Sequence, residues 1–530
     1  MTAASNDTMF LNIIRQQSET IAALQKSLDQ MNEESKLLRE QIDYLTKKLF
    51  GRKSEKTDAI SGQIVLEEVV FGQFNEAEEH MDPSEVEILI KKKPSRKGYS
   101  REKAMAGIPE EDRFYRLAEE ECVCEFDGDH LHFMGKKYMR TEIEYQPATM
   151  KLVHLYQESR ECRTCRRQGR DYIITIKGPA PVLPHSMASA SSVAWTMYQK
   201  YVNHVPLYRQ EKDWKNLGLE LKRSTLSNWI IKTSEAWLAP MVDRLREKLL
   251  EQNYLHADET TLQVLKEAGR TAQSKSYMWV FATGETSRAP IRIFRYHAGR
   301  NGKVAADFLG DYKGYLHTDG YSGYGKVEGI SRCACWSHVR RYFVDALPKD
   351  SKNPESTLPK IGIAYCNKLF DIECDLKALS PEDRKTKRLE LELPVLEAFW
   401  SWVEDTLPKV LSKSKIGKAL QYALNHKDWL MTYLEDGNCA ISNNLAENSI
   451  RPFTVGRKNW LFSASPAGAD ASAVVFSIVE TAKANGLNPH KYLEYLLREI
   501  PSMEIVKDKE ELDSLLPWDP TIQAACAVRN

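Results

Sequence analysis

Two short stretches of this chain close on the same pattern. One reads Tyr254-Leu255-His256-Ala257-Asp258-Glu259-Thr260, the other Tyr315-Leu316-His317-Thr318-Asp319-Gly320. Each predicts a short strand ending in His-x-Asp. Side chains alternate along a strand, so each His shares a face with its Asp, while Leu255 and Ala257 take the other. Aspartate fits strands poorly. Two at equivalent places therefore suggest a use for the carboxylates, with chance similarity of short strings as the plain alternative. Glu259 competes with Asp258 as the working acid. The parallel with Asp319 favours Asp258.

A third acid stands in Ile441-Ser-Asn-Asn-Leu-Ala-Glu-Asn-Ser-Ile-Arg-Pro452. Ser442 can cap a helix. Asn444, Glu447 and Arg451 then lie on one face, and Pro452 is expected to end or kink the helix. Arg457, Lys458, Trp460 and Phe462 follow, mixing cations with aromatics in a way that suits phosphates and bases. Taken alone, the stretch reads equally as a capped surface helix.

The rest of the chain must position these groups. With 530 residues, three or four domains are expected. Hydrophobic residues at 42% and charged residues at 28% exclude collagen-like or wholly disordered chains. Net charge is zero, but residues 61–90 sum to −8, residues 91–103 to +6 and residues 151–250 to +8. The last block could face nucleic acid or be a solvated face. No run of 18 apolar residues is present, so no membrane span is expected. Residues 1–10 lack a signal-peptide pattern, which argues against secretion.

Residues 14–49 carry heptads. Nine of the eleven a and d positions are apolar, among them Ile14, Ile21, Leu28, Leu38 and Leu45. A sustained 3.5 period favours a coiled coil over a long helix packed on its own protein. Cys122 and Cys124, then Cys162 and Cys165, form two close pairs, a metal-binding signal in a cytosolic chain. Segments such as Tyr277-Met-Trp-Val-Phe281 and Ile291-Arg-Ile-Phe294 are β-prone. Ser380-Pro381-Glu382-Asp383 is a helix start, and residues 349–440 read as helical.

His256-Ala-Asp-Glu-Thr260, His317-Thr-Asp-Gly-Tyr321, Cys335-Trp-Ser-His338 and Asn443-Asn-Leu-Ala-Glu-Asn-Ser-Ile-Arg-Pro452, with Gly456-Arg-Lys-Asn-Trp-Leu-Phe462, resemble the transposase of the insertion sequence 66 family. Leu49-Phe-Gly-Arg-Lys-Ser-Glu55 resembles the end of that family's N-terminal zipper, and Glu480-Thr-Ala-Lys-Ala-Asn-Gly-Leu-Asn-Pro489 its C-terminal segment. These motifs together span most of residues 11–500.

The resemblance implies a multidomain α+β and α/β protein. In order, it implies a coiled-coil multimerisation helix (11–50), a linker (51–110) and a small zinc-binding module (111–180). A helix-turn-helix-like region (190–250) follows, then a ribonuclease H-like catalytic core. The core's first part spans 251–348 and its second part, with the catalytic Glu and C-terminal helices, 441–500. A helical insertion (349–440) divides them, and a tail (501–530) ends the chain. Carried over by motif, the catalytic triad is Asp258, Asp319 and Glu447, holding two Mg²⁺ (or Mn²⁺) ions. Cys335, His338 and Arg451 are accessory candidates. Cys333 near Cys335 and His338 does not complete a four-ligand metal set.

Structural Zn²⁺ is expected on Cys122, Cys124, Cys162 and Cys165, although the first pair departs from the family's Cys-x-x-Cys. His130 and His132 are nearby substitutes. Pro206-Leu-Tyr-Arg-Gln210 through Leu217 to Trp229 resembles a helix-turn-helix, with Gly218 in the turn and Thr225 to Trp229 in the recognition helix. A plain helical hairpin is the alternative. Arg223, Ser224, Asn228, Arg457, Lys458 and Trp460 are the DNA-binding candidates. The implied partners are double-stranded DNA (transposon ends and target), further copies of the chain through the coiled coil, and helper proteins of the same element. The expected location is the cytoplasm, at the nucleoid. Asn448 and Ser442 depart from the family's frequent Arg and Asp. Two other readings stay open: a DNA-binding protein that has lost catalysis, and a ribonuclease H-like nuclease without strand transfer.

Overall fold

The computed structural model describes residues 150–161, 167–169, 173–175, 178–348, 357–503 and 509–528. The heptads, the linker and the four cysteines expected to bind zinc lie outside these residues. Ser159–Glu161 (β1) and Ile173–Thr175 (β2) pair antiparallel. Helices α1 (Ala190–Tyr201), α2 (Leu207–Asn216), α3 (Arg223–Thr233) and α4 (Ala239–Leu250) follow. Gly218 turns the chain between α2 and α3 at φ +92°, a conformation that suits glycine. Trp214 meets Trp229 edge-on at 6.3 Å and fixes the crossing of these two helices.

Tyr254–Gln263 (β3) begins the sheet that carries the acids. Lys275–Thr283 (β4) and Arg292–His297 (β5) add to one side, both antiparallel. Tyr315–Thr318 (β6) and Ser331–Ala334 (β7) add to the other, both parallel. The order is β5-β4-β3-β6-β7. Helix α5 (Gly302–Leu309) connects β5 to β6, and α6 (Trp336–Asp345) follows β7. A parallel neighbour needs such a crossover, whereas antiparallel strands join through a short turn.

The outer edge of β5 does not go unpaired. Helix α13 (Pro466–Ala484) lies along it. Ser477 Oγ accepts from the Phe294 N–H at 2.8 Å and Thr481 Oγ1 from the Arg292 N–H at 3.0 Å. Hydroxyls thus satisfy backbone groups that a bare edge would leave open. Apolar residues of β3, β4, β5, α1, α4 and α13 close one core around Trp279, Phe281 and Phe476.

A second core gathers Trp336, Phe343, Phe399 and Leu420. It is built by α6 with α7 (Leu358–Leu376), α9 (Leu393–Thr406), α10 (Lys415–Asn425) and α11 (Lys427–Met431), while α8 (Pro381–Leu391) packs on the outside of α7 and α9. Ser380 caps α8 as its sequence predicts, accepting from the Asp383 N–H. The chain then returns to the sheet through α12 (Asn444–Trp460). Helix α14 (Pro489–Glu499) and α15 (Pro520–Cys526) complete the first core. No helix among the described residues is long and apolar enough to cross a membrane.

Two expectations about α12 need correcting. Asn443, not Ser442, precedes it, and no side chain caps its first turn. Pro452 lies inside the helix and does not end it. A proline at this position leaves the carbonyl four residues earlier without its donor. That carbonyl belongs to Asn448, which is exposed, so water can serve it. Ile450 and Phe453, buried on either side of the proline, hold the helix against the sheet.

Candidate active site

The sheet register brings the first two acids together. Tyr254, Leu255 and His256 pair with Tyr315, Leu316 and His317 in parallel. The same offset, two residues further on, sets Asp258 beside Asp319. His256 and His317 stack at 4.3 Å beneath them. Glu447 enters from the first turn of α12. Burial and then the charges of Glu259, Asp319 and Glu447 raise the Asp258 carboxyl well above its usual range. Three acids from three separated segments therefore share one electrostatic site.

Glu259, next in sequence, lives in a different setting. Its carboxylate accepts from Arg300 Nε at 2.6 Å and from the Tyr324 hydroxyl at 2.5 Å. The same guanidinium lies 3.7 Å from Asp319 Oδ2 and 4.0 Å over the Tyr321 ring. Arg300 thus balances Glu259 and touches Asp319. Among the described bonds Asp258 has no such directly bonded cation, although His338 acts on it from a distance; its Oδ1 accepts the Glu259 N–H at 2.8 Å.

The loop carrying Asp319 is clamped from below. Arg332 is buried, donates from Nε to Thr318 Oγ1 at 2.9 Å and from Nη2 to the Asp319 carbonyl at 2.7 Å. Trp429 of α11 covers its guanidinium at 4.0 Å. Gly320 has no room for a Cβ, which would sit 2.6 Å from the Tyr422 hydroxyl. Helices α10 and α11 therefore close directly on the second acid.

Helix α12 is bolted to β3 through Asn443. Its Oδ1 accepts from His256 Nδ1 at 2.9 Å, its Nδ2 donates to the Ala257 carbonyl at 2.9 Å, and its N–H points at Cys335 Sγ at 3.1 Å. One amide so fixes Glu447 relative to Asp258.

Cys335 and His338 stand beside the third acid. His338 Nδ1 is 3.7 Å from Glu447 Oε1, and Arg341 Nη2 is 3.6 Å from Glu447 Oε2. Burial pushes His338 down, but the Cys335 sulfur outweighs it and raises the imidazole to about 9. Burial likewise raises Cys335, and His338 outweighs it, so the thiol sits below its usual range. Each of the two thus favours the charged form of the other. Glu447 Oε1 and His338 Nδ1 are buried without a hydrogen-bond partner.

The remaining candidates are placed as follows. Arg451 lies one turn beyond Glu447 on α12. Arg457 donates to Thr260 Oγ1 at 3.2 Å and to the Thr261 carbonyl, tying α12 to β3. Trp460 packs edge-on to Tyr201 at 6.3 Å. It is a wall of the first core rather than a free platform. Lys458 is exposed. Arg223, Ser224 and Asn228 sit on α3, where the Arg223 N–H meets Glu211. Sequence reasoning missed Arg300, Tyr324 and Arg332, and gave Asn443 no role. Their partners are distant in the chain, and no local pattern marks them.

The described core is thus a sheet of five mixed strands flanked by helices, with acids brought together from two parallel neighbours and a returning helix. Residues 185–471 match the model of the transposase IS66 family, residues 477–518 that of the IS66 C-terminal element, and residues 37–113 that of "Transposase C of IS166 homeodomain". The first match spans more than half of the chain, which belongs to the IS66 family of transposases. Three relatives from Sinorhizobium fredii are similar, all described as uncharacterized. Protein y4qI is 30% identical over 66% of this chain and 66% of its own. Protein y4hP is 25% identical over 90% and 87%, and y4jD is 27% identical over 78% and 80%. No solved structure matches.

Proposed function

We propose that this chain is a DDE transposase with a ribonuclease H-like core. It binds the ends of a bacterial insertion sequence, cleaves at the 3′ ends and joins them to target DNA. The observation that carries this reading is the convergence of Asp258, Asp319 and Glu447, with the charges of the other acids raising Asp258. The strand order and the family membership agree with it.

The donor set fits Mg²⁺ or Mn²⁺, which prefer oxygen ligands. Carboxylates gathered closely enough to raise Asp258, and a Glu447 Oε1 that lacks a hydrogen bond, suit such a site. Asp258, Asp319 and Glu447 would hold the ions. Bound there, a pair of ions supplies activation of the attacking oxygen and stabilisation of the leaving one.

The chain's own groups do the positioning. Asn443 sets the helix acid against the strand acid. Arg332 and Trp429 hold the Asp319 loop in place. Protonated His338 places a cation beside Glu447 and so limits carboxylate repulsion in the free protein. Helices α2 and α3 are the candidate DNA-binding hairpin, through Arg223, Ser224 and Asn228. The heptads supply multimerisation, because two ends must be held together.

The test incubates purified full-length protein with its element's end DNA and Mg²⁺ and maps the nicked strand. A nick at the 3′ end, followed by joining to a target plasmid, is expected. Binding without any nick would leave only a DNA-binding protein; nicking without joining would leave a nuclease.

A further inference from the structure

Below the acids lies a second cluster that the proposed chemistry does not use. A ring nitrogen of His317, Cys333 Sγ and Cys439 Sγ fall within 4.8 Å of one another, and all three residues are buried. His317 and Cys333 are register partners on β6 and β7. Cys439 arrives from the opposite direction, on the segment that leads from α11 to α12. Its carbonyl is held by Arg388 Nη2 at 2.9 Å.

The imidazole is already oriented. His317 Nδ1 faces the Leu255 carbonyl at 3.2 Å, so the ring proton belongs there and Nε2 is left as the acceptor. A metal-bound histidine has this arrangement, with its far N–H anchored on a carbonyl or carboxylate. Nε2 meets the Ala440 N–H at 2.9 Å.

We infer that His317, Cys333 and Cys439 form a binding site for a soft, thiophilic cation of the Zn²⁺ type, separate from the carboxylate site. Two sulfurs and one imidazole favour such an ion over Mg²⁺. Zinc bonds of about 2.0–2.3 Å set the donors of one tetrahedron somewhat under about 4 Å apart, within reach of small side-chain rotations here. Entry of the ion exchanges the Ala440 N–H contact for a coordination bond. It also releases the two thiol protons to solvent. The remaining tetrahedral position falls to a small exogenous ligand.

The placement gives the site a purpose. It joins the strand that leads to Asp319, the strand that leads to Cys335 and the segment that leads to Asn443. The cation acts as a staple across the three segments that present the second acid, the accessory pair and the third acid. The inference does not depend on DNA cleavage, and its test reads metal instead.

The probe is Co²⁺, a spectroscopic stand-in for Zn²⁺, added to the full chain with Cys122, Cys124, Cys162 and Cys165 replaced by Ser. These changes leave the described cysteines untouched. About one equivalent of Co²⁺ should bind with a thiolate charge-transfer band, and Zn²⁺ should displace it. Cys333→Ala, Cys439→Ala and His317→Gln should each abolish the band, while Cys366→Ala, in the insertion, should keep it. A parent chain without the band overturns the inference with no core substitution involved. Loss of the band in Cys335→Ala alone also overturns it, by placing the ion beside Glu447.

Discussion

Arg388 in the helical insertion is a buried ionisable side chain, and Asp258 in the sheet is a half-buried one. Arg388 is 1% exposed, and its guanidinium is served on every side. Glu373 takes it at 2.6 and 2.8 Å, and the carbonyls of Tyr433, Asp436 and Cys439 accept its remaining N–H groups. Asp258 instead faces three other acids against the single opposing charge of His338, and Arg300 is bonded to Glu259. A buried charge that serves the fold finds its partners in the chain. One whose partners are mostly like charges points to a cation from outside. The contrast distinguishes a structural ion pair from a candidate reaction centre without reference to any relative.

The largest expected effect comes from breaking the unbalanced side. Asp319→Asn keeps shape and removes charge. Cleavage of end DNA should fall by several orders of magnitude, since each ~1.4 kcal/mol of lost stabilisation is tenfold. Gel-shift affinity for the same DNA should hardly change. Asp258→Asn and Glu447→Gln should behave alike, and double variants should be no worse than single ones. Strand nicking at normal rates in all three would end the ribonuclease H-like reading.

The balanced side predicts a loss of stability instead. Arg388→Met leaves Glu373 and three carbonyls buried without their donor. Removing one partner of a buried pair costs roughly 3–5 kcal/mol. Thermal unfolding of the full chain should show the drop. A change below about 1 kcal/mol would mean that water replaces the guanidinium and that the contrast has been overdrawn.

The same contrast explains what could be read from residues alone. Both His-x-Asp segments were legible as strands because alternation is local, but their ends were not: β3 runs past Asp258 to Gln263, and β6 stops one residue before Asp319. The helix bearing Glu447 was legible as a helix, but its proline does not end it, as one of the two expected outcomes had it. Packing of Ile450 and Phe453 outweighs one missing backbone bond. Trp460 reads as a DNA-facing aromatic among cations; the fold packs it, half-buried, against the first core, a placement that its local sequence does not mark. Arg300, Arg332 and Cys439 were silent because their partners arrive from other strands or from beyond the insertion. Cys333 was weighed against its neighbours Cys335 and His338, whereas it pairs across the sheet with His317.

A smaller effect concerns Glu392, fully buried beneath the Tyr433 hydroxyl. Burial first, then the nearby Glu373 charge, raise its carboxyl from the ordinary 4.5 to about 8. The folded chain therefore holds a proton that the unfolded chain releases. Stability from this group is full below about 4.5 and is lost as pH rises toward about 8. The melting temperature should fall across that window. Glu392→Gln, neutral at every pH, should flatten the slope. An unchanged slope in the variant would assign the effect to other groups.

The smallest expected effect is on cleavage by Glu259→Gln, and it tests the border between the two kinds of acid. Glu259 is adjacent to Asp258 and lies at the same site, so proximity alone would make it a metal ligand. Its carboxylate is nevertheless taken by Arg300 and Tyr324. Glutamine keeps the length and one acceptor oxygen but loses the charge that holds the guanidinium. Arg300 would then swing further toward Asp319, 3.7 Å away, and weaken that acid's hold on a cation. A drop of about tenfold, ~1.4 kcal/mol, is the scale for such an indirect electrostatic change. Raising Mg²⁺ should restore most of the rate, because the defect is in ion affinity. No Mg²⁺ concentration should rescue Asp258→Asn to the same degree. The measurement is nicking rate against Mg²⁺ for both variants on one DNA preparation. If Glu259→Gln is dead at saturating Mg²⁺ while Asp258→Asn cleaves, the two neighbours have exchanged roles.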